Sequence, residues 1–512
     1  MSSSVDHPDG PRHSALWKAL APWPWAPLIA LALAIQLILI WTHVPWADEL
    51  QATALARESH KLADWYWNFR YEGHAPLWHL LLKIPLAFAD DPTALKITQS
   101  FVVLCSAGLL HLRAPFTPGV KFLLSLNYFL FFEYGAIARN YSLTVLFFFA
   151  AIAFRRQPVA WLFLALLPQG GLQSVMLAGI CGLIVLREQG WRWSGALVTG
   201  AGSLAALIWM WPAENFESIN TLRIDAPLLH KVMWAAYMNG ATFLPIDFDL
   251  QLTGWDISRL ESLIIFFGLY GPMLAVQHIS RTSRFLAWIT AVFIGSNFVL
   301  CCVIYTIYAR HFGLGVVLMI GMLWVTHKPM EPMANIVRAW MVMLALGGAA
   351  AALRQAITPF TVGPQSMVAL REAGGLTQLI IPVNTMVGAE VHGLLRIPTF
   401  DVAGGCMQTF VRWRSPIFLS RSWIARDPDR RSKDPIGSAL AEMKKVAARA
   451  GGRALLLFDD AEIADLMSKL NDPALSLLRI IKTEGSERLY RSVYRLDVPP
   501  DPNPIPIPPC MR

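Results

Sequence analysis

Asp48 and Glu49 stand side by side just after the first long apolar run of the chain, opening the stretch HVPWADELQATALARESHKLADWYWNFRYEGHAPLWHLLLKIPL. A carboxylate placed there can take a proton from a hydroxyl. It can equally be an ordinary acid at a helix start, where the dipole favours negative charge, or an N-cap. The rest of the stretch favours chemistry, because Glu72, His74 and Pro76 crowd together with Trp65, Tyr66, Trp67 and Tyr71. The aromatics alone prove nothing, since Trp and Tyr gather at any membrane–water interface.

A second cluster is FFEYGAIARNYSL, with Glu133, Arg139 and Tyr141 between two apolar runs. Ionisable groups at the edge of a span are costly unless paired or functional. The plain reading is a structural Glu133–Arg139 pair; the functional one is a second acid facing the first, beside a cation able to hold a phosphate. A third cluster, YTIYARHFGL, brings Arg310 and His311 to the end of another run. Arg310 could simply snorkel to lipid headgroups, or it could bind a lipid-linked phosphate. A lone histidine such as His311 is more often structural than catalytic.

The elements that must position these clusters are membrane spans. The 512 residues are 55% hydrophobic and only 15% charged, against roughly a quarter charged in a soluble domain. The chain carries 20 Trp and 27 Phe, and mean hydropathy is +0.44. Apolar runs recur from Ala26–Trp41 to Ala339–Leu353, too many for one soluble core, and a span needs about 20 such residues. This excludes a soluble enzyme. The net charge of +8 sits in small Arg/Lys knots between apolar runs, which fits the positive-inside rule and not nucleic-acid binding. The first run is long and lacks a small-residue cleavage site, so it reads as a retained anchor rather than a removed signal.

Three regions follow: a polar, disordered cytoplasmic tail over 1–22, a transmembrane body over 23–353 with an outer loop at 43–94, and a soluble region over 354–512. In the last, LTQLIIPV, LLRIPTF, RALLLF and RLYRSVYRLDV read as strands. ADLMSKL and Ile436–Ala450 read as helices, and PPDPNPIPIPP as an extended tail. The fold class is therefore mainly α: a polytopic helical bundle with a small extracytoplasmic α/β domain. No internal repeat is visible. Basic loops at Arg113/Lys121, Arg155-Arg156, 187–192 and 278–284 are expected in the cytoplasm. The segment Pro76–Ala89, about fourteen residues, is marginal for a span; laid along the outer surface, it leaves about 11 spans with every basic loop inside. Cys105, Cys181, Cys301 and Cys302 lie in apolar segments, while Cys406 and Cys510 could pair if their domain faces an oxidising compartment.

The order of an acidic pair after the first span, then Gly-His-Ala-Pro-Leu-Trp at 73–78, then Ala-Arg-Asn-Tyr at 138–141, resembles the GT-C superfamily of multi-span glycosyltransferases, such as the protein O-mannosyltransferases and lipid A aminoarabinose transferases. The likeness is closest over the first third of the chain, and Ala75 departs from the usual first proline of the Pro-Pro step. The resemblance implies a GT-C-like body, Asp48 as catalytic base with Glu49 its neighbour, and a substrate-binding set of His74, Glu133, Arg139, Tyr141, Arg310 and His311. It also implies a donor sugar on polyprenyl phosphate or pyrophosphate. An envelope glycan, lipid or protein would be the acceptor, on the outer face of a bacterial inner membrane. No cofactor is required by this chemistry, no metal site is legible, and flanking acids could hold a divalent ion. The alternative is a transporter or flippase for a lipid-linked saccharide, using the same cations without a base; the inverted repeats and broken helices such proteins often show are not found in the sequence.

Overall fold

The computed structural model describes residues 25–69, 72–211, 227–245, 261–303, 307–328, 333–383, 385–401, 405–411, 435–459, 461–483 and 486–510. The tail over 1–22 and Tyr71 lie outside them, as does much of the loop over 212–260. The chain is mainly helical. Seven helices are long and apolar enough to cross a bilayer: Asp91–Arg113, Leu172–Gln189, Trp193–Met210, Leu263–Ser280, Arg284–Val303, Ala309–Thr326 and Asn335–Ile357.

The other apolar runs expected to span are also helical, but shorter or broken. Helix α1 (Ala26–Thr42) meets α2 (Ala47–Glu58) at a 73° bend, and the two together make an eighth candidate. Pro118–Ser125 runs into a π-helix, Tyr128–Glu133. Tyr141–Ala153 has 13 residues, and Ala160–Leu166 ends in a 3-10 turn, Leu167–Gly170. The segment expected to lie on the surface forms α4 (Leu77–Leu86), following the short α3 (Leu62–Phe69). Ten residues of helix rise about 15 Å, half a hydrocarbon core. Its Leu80 and Ile84 form an exposed i,i+4 stripe, with Trp78 and Leu82 buried opposite. An unforeseen apolar helix, Leu228–Phe243, packs against Glu261–Ser280 so closely that a Cβ on Gly240 or Gly268 would strike the facing backbone at 1.8 and 1.7 Å. Small residues at such a crossing let two backbones approach, which is how helices associate where lipid removes the hydrophobic drive.

The C-terminal region is the small α/β unit expected. Strands β1 (Leu379–Pro382), β4 (Arg453–Phe458), β5 (Leu475–Thr483) and β6 (Ser486–Asp497) form one sheet in the order β1-β4-β6-β5. The β1–β4 pair is parallel and the other two are antiparallel. RALLLF becomes the central β4, with five of its six residues buried. A separate hairpin of β2 (Thr399–Asp401) and β3 (Cys406–Gln408) packs beside β1, with Phe400 in the core shared with Ile381. The Pro-rich tail runs beside it, with Met407 N–H donating to Pro508 O and Cys510 N–H to Met407 O. Cys406 and Cys510 form a disulfide across 104 residues. Two helices here were not foreseen, Gly363–Glu372 and Thr385–Leu395.

Candidate active site

Successive residues of a helix point about 100° apart, and this separates the acidic pair at the start of α2. Glu49 turns inward and is fully buried. Its Oε1 accepts from the Ala138 N–H at 2.7 Å, and its Oε2 accepts from the Trp46 N–H at 3.1 Å and lies 2.8 Å from His43 Nε2. Both oxygens are spent on holding the entry to α2 and the 138–141 turn in place. The helix-start reading thus applies to Glu49, which the resemblance had set beside Asp48 as catalytic. It is a brace.

Asp48 keeps access. Its Oδ2 lies 2.5 Å from Arg139 NH1 and 3.9 Å from Arg310 NH1, and all three side chains remain about an eighth exposed, at 12%. No partner of Oδ1 is found among the described residues. Both guanidinium carbons lie over the Trp46 ring, at 5.8 and 6.0 Å. Two fixed cations face this carboxylate, an arrangement that can hold an anion, and the charges of Glu49 and Glu133 also act on Arg139. The one group of three metal-capable side chains found close together among the described residues is Asp401, Cys406 and Cys510, whose sulfurs are joined to each other.

Arg139 pairs with Asp48 and not, as the plain reading had it, with Glu133. The Glu133 carboxylate instead accepts from Tyr128 O–H at 3.1 Å, at the end of the π-helix. That wide turn leaves carbonyls open, and two buried glutamines fill the need. Gln36 Nε2 donates to Leu130 O at 2.7 Å and Phe131 O at 3.2 Å; Gln99 Nε2 donates to Tyr134 O and Gly135 O, both at 2.8 Å. Gly135 admits no side chain, since a Cβ would lie 2.3 Å from Gln36 Nε2. Neither glutamine was singled out in the sequence. The signal was there, an amide inside an otherwise apolar run, which in a membrane protein must find a partner.

The remaining members converge on the same place. The Tyr308 N–H donates to His311 Nδ1 at 3.1 Å, and an amide can only donate, so Nδ1 carries no proton. The proton of the neutral ring is then on Nε2, which lies 2.9 Å from the Tyr141 hydroxyl and donates to it. The hydroxyl's own proton is left for another acceptor. The Tyr141 ring lies 5.5 Å from the Arg139 guanidinium carbon and 6.5 Å from the His74 ring. Asn140 Nδ2, which donates to Gly170 O at 2.7 Å, lies 3.4 Å from His74 Nδ1. Burial, and then the charge of Arg139, push His74 down to about 4, so at neutral pH it offers uncharged nitrogens rather than a cation. The Arg310 carbonyl accepts from the Tyr134 hydroxyl, which ties the third cluster to the second. Of the aromatic set, Trp65 stacks on Phe69 at 4.9 Å, while Tyr66 and Trp67 are exposed.

Asp48, Arg139, Arg310, Tyr141, His311 and His74, spread over 264 positions of sequence (48 to 311), are thus one constellation at the ends of apolar helices. It offers one carboxylate oxygen, two guanidiniums and a phenol proton. Compared with models of protein families, with curated proteins and with solved structures, the chain matches none.

Proposed function

We propose that the protein is a membrane glycosyltransferase that moves a sugar from a polyprenyl-phosphate donor to an envelope acceptor. The observation that carries this reading is the Asp48 carboxylate, with both arginines on Oδ2 and no partner for Oδ1 found among the described residues. In the reaction, Oδ1 takes the proton of the acceptor hydroxyl as its oxygen attacks the anomeric carbon. The bond from that carbon to the phosphate oxygen breaks, and the phosphate leaves with the electron pair. Arg139 and Arg310 hold the charge that develops there. A single displacement of this kind inverts the anomeric centre, and the sugar passes through a state of oxocarbenium character.

The reading places about 11 spans in the inner membrane, with the acceptor side and the C-terminal domain outside the cytoplasm. The Cys406–Cys510 disulfide supports that side, because such bonds persist in oxidising compartments. A reporter fused after Arg113 tests it, and an extracytoplasmic signal there would break the arrangement. The activity is tested in membranes with radiolabelled polyprenyl-phosphate sugars and envelope extract, comparing wild type with Asp48→Asn. Transfer that survives the substitution unchanged rules out Asp48 as the base. No transfer from any donor, with the lipid still bound, would move the reading to a flippase.

A further inference from the structure

The C-terminal domain grips the helix that carries Asp48 at both of its ends. Near the start of α2, Gln51 is buried, and its carboxamide behaves as a peptide group would in a sheet. Oε1 accepts from the Val411 N–H at 2.9 Å and Nε2 donates to the Val411 carbonyl at 2.8 Å. The second Nε2 proton goes to Glu72 Oε1 at 2.8 Å, two residues before His74. One side chain therefore joins the Asp48 helix, the His74 loop and the C-terminal domain.

At the same end of α2, the helix Thr385–Leu395 packs so tightly that a Cβ on Gly393 would lie 2.6 Å from Leu50 Cβ. At the far end, the fully buried Asp91 carboxylate is shared by Arg57 of α2, at 2.5 Å, and Arg396 of the C-terminal domain, at 2.7 Å. Arg57 also donates to His392 O at 3.3 Å. Breaking one partner of a buried pair of this kind strands a charge, so this end is a fixed anchor.

We infer that the C-terminal domain is part of the site, and that Gln51 is a positioning residue that sets Asp48 and His74 against each other by holding both to Val411. The inference rests on the glycosyltransferase reading for its kinetic consequence but not for its structural one. A domain attached for acceptor capture alone would not need to seat its backbone on a buried amide three residues from the base.

The test uses the full-length protein in nanodiscs, as wild type, Gln51→Leu and Gln51→Glu. Glutamate keeps the acceptor for Val411 N–H but loses both donated bonds and faces Glu72 with like charge. Amide hydrogen exchange is read over Ala47–Glu58 and, as a control, over Asn335–Ile357. Sugar transfer is measured on the same samples. The expected result is at least tenfold faster exchange in the first turns of α2, with the control helix unchanged. The turnover number falls at least tenfold while the donor KM stays within twofold, and Gln51→Glu is affected in the same segment. Unchanged exchange in α2, or loosening spread equally over both helices, overturns the inference. Wild type that transfers no sugar defeats the proposed function instead, and the exchange result still decides the coupling.

Discussion

Arg139 NH1 lies 2.5 Å from Asp48 Oδ2, and no other acid is as close to that guanidinium among the described residues. Arg310 approaches the same oxygen from 3.9 Å, so one carboxylate holds two cations side by side. Replacing Arg139 by glutamine keeps much of the volume and removes one cation. The donor KM should rise about tenfold or more and the turnover number should fall. Equal donor affinity in the variant would show that Arg139 only orients Asp48.

The phenol proton of Tyr141 is unspent because His311 already donates to its oxygen. Tyr141→Phe preserves the ring against Arg139 and deletes that proton. Loss of one preorganised donor typically costs about 100-fold in rate, and turnover should fall on that scale, with the thermal midpoint lowered because the buried His311 Nε2–H loses its acceptor. A phenylalanine variant of full activity would leave the hydroxyl a packing group.

Gln36 supplies two bonds to the open carbonyls of the π-helix. Gln36→Leu removes them inside the membrane body, where such bonds contribute roughly 0.6–2 kcal/mol. The variant should unfold earlier in detergent and also transfer sugar more slowly, since Glu133 and the 138–141 turn sit on that frame. Lower stability with full activity would separate the π-helix from the site.

The Cys406–Cys510 bond is checked by counting thiols. Denatured without reductant, the chain should react as four thiols, those of Cys105, Cys181, Cys301 and Cys302; reduced, it should react as six. Cys510→Ser should destabilise the C-terminal domain by about 2–5 kcal/mol. Six reactive thiols before reduction would deny the disulfide.

Stability should fall on acidification. Burial, and then the nearby Arg57, push His392 down from 6.5 to about 3. The unfolded chain therefore takes up a proton at a pH where the folded one does not. The stabilisation is complete above pH 6.5 and is lost as pH falls from there toward 3, by roughly 2 kcal/mol at pH 5. His74 acts with the same sign between 6.5 and about 4, by a smaller total amount because it is pushed down less far than His392. Thermal midpoints between pH 8 and 5 test this: His392→Gln should flatten the profile, and an unaltered slope would assign the acid sensitivity elsewhere.

The sequence showed which groups matter more readily than which partners they take. Apolar runs, the β4 core strand and the Cys406–Cys510 pair were legible because each depends on local composition or on there being few candidates. The partner of Arg139 was not legible, since Asp48 is 91 residues away and Glu133 is six. Nor was the split of Asp48 from Glu49, which depends on how α2 is rotated. The helix Thr385–Leu395 was missed because TMVGAEVHGLL holds two glycines and three β-branched residues, poor helix formers. Packing on α2 outweighs that preference. Strand β5 was missed because LSLLRIIKT lacks strict alternation, and much of its apolar surface stays exposed.

The bond from Gln51 to Val411 joins residues 360 positions apart. During synthesis at 5–20 residues per second, the downstream partner follows on the order of 20–70 s after the first. Through that interval α2 is already at the membrane with its acid in place and its amide unclaimed. On the proposed reading, the site is completed only when the last third of the chain folds back onto the first.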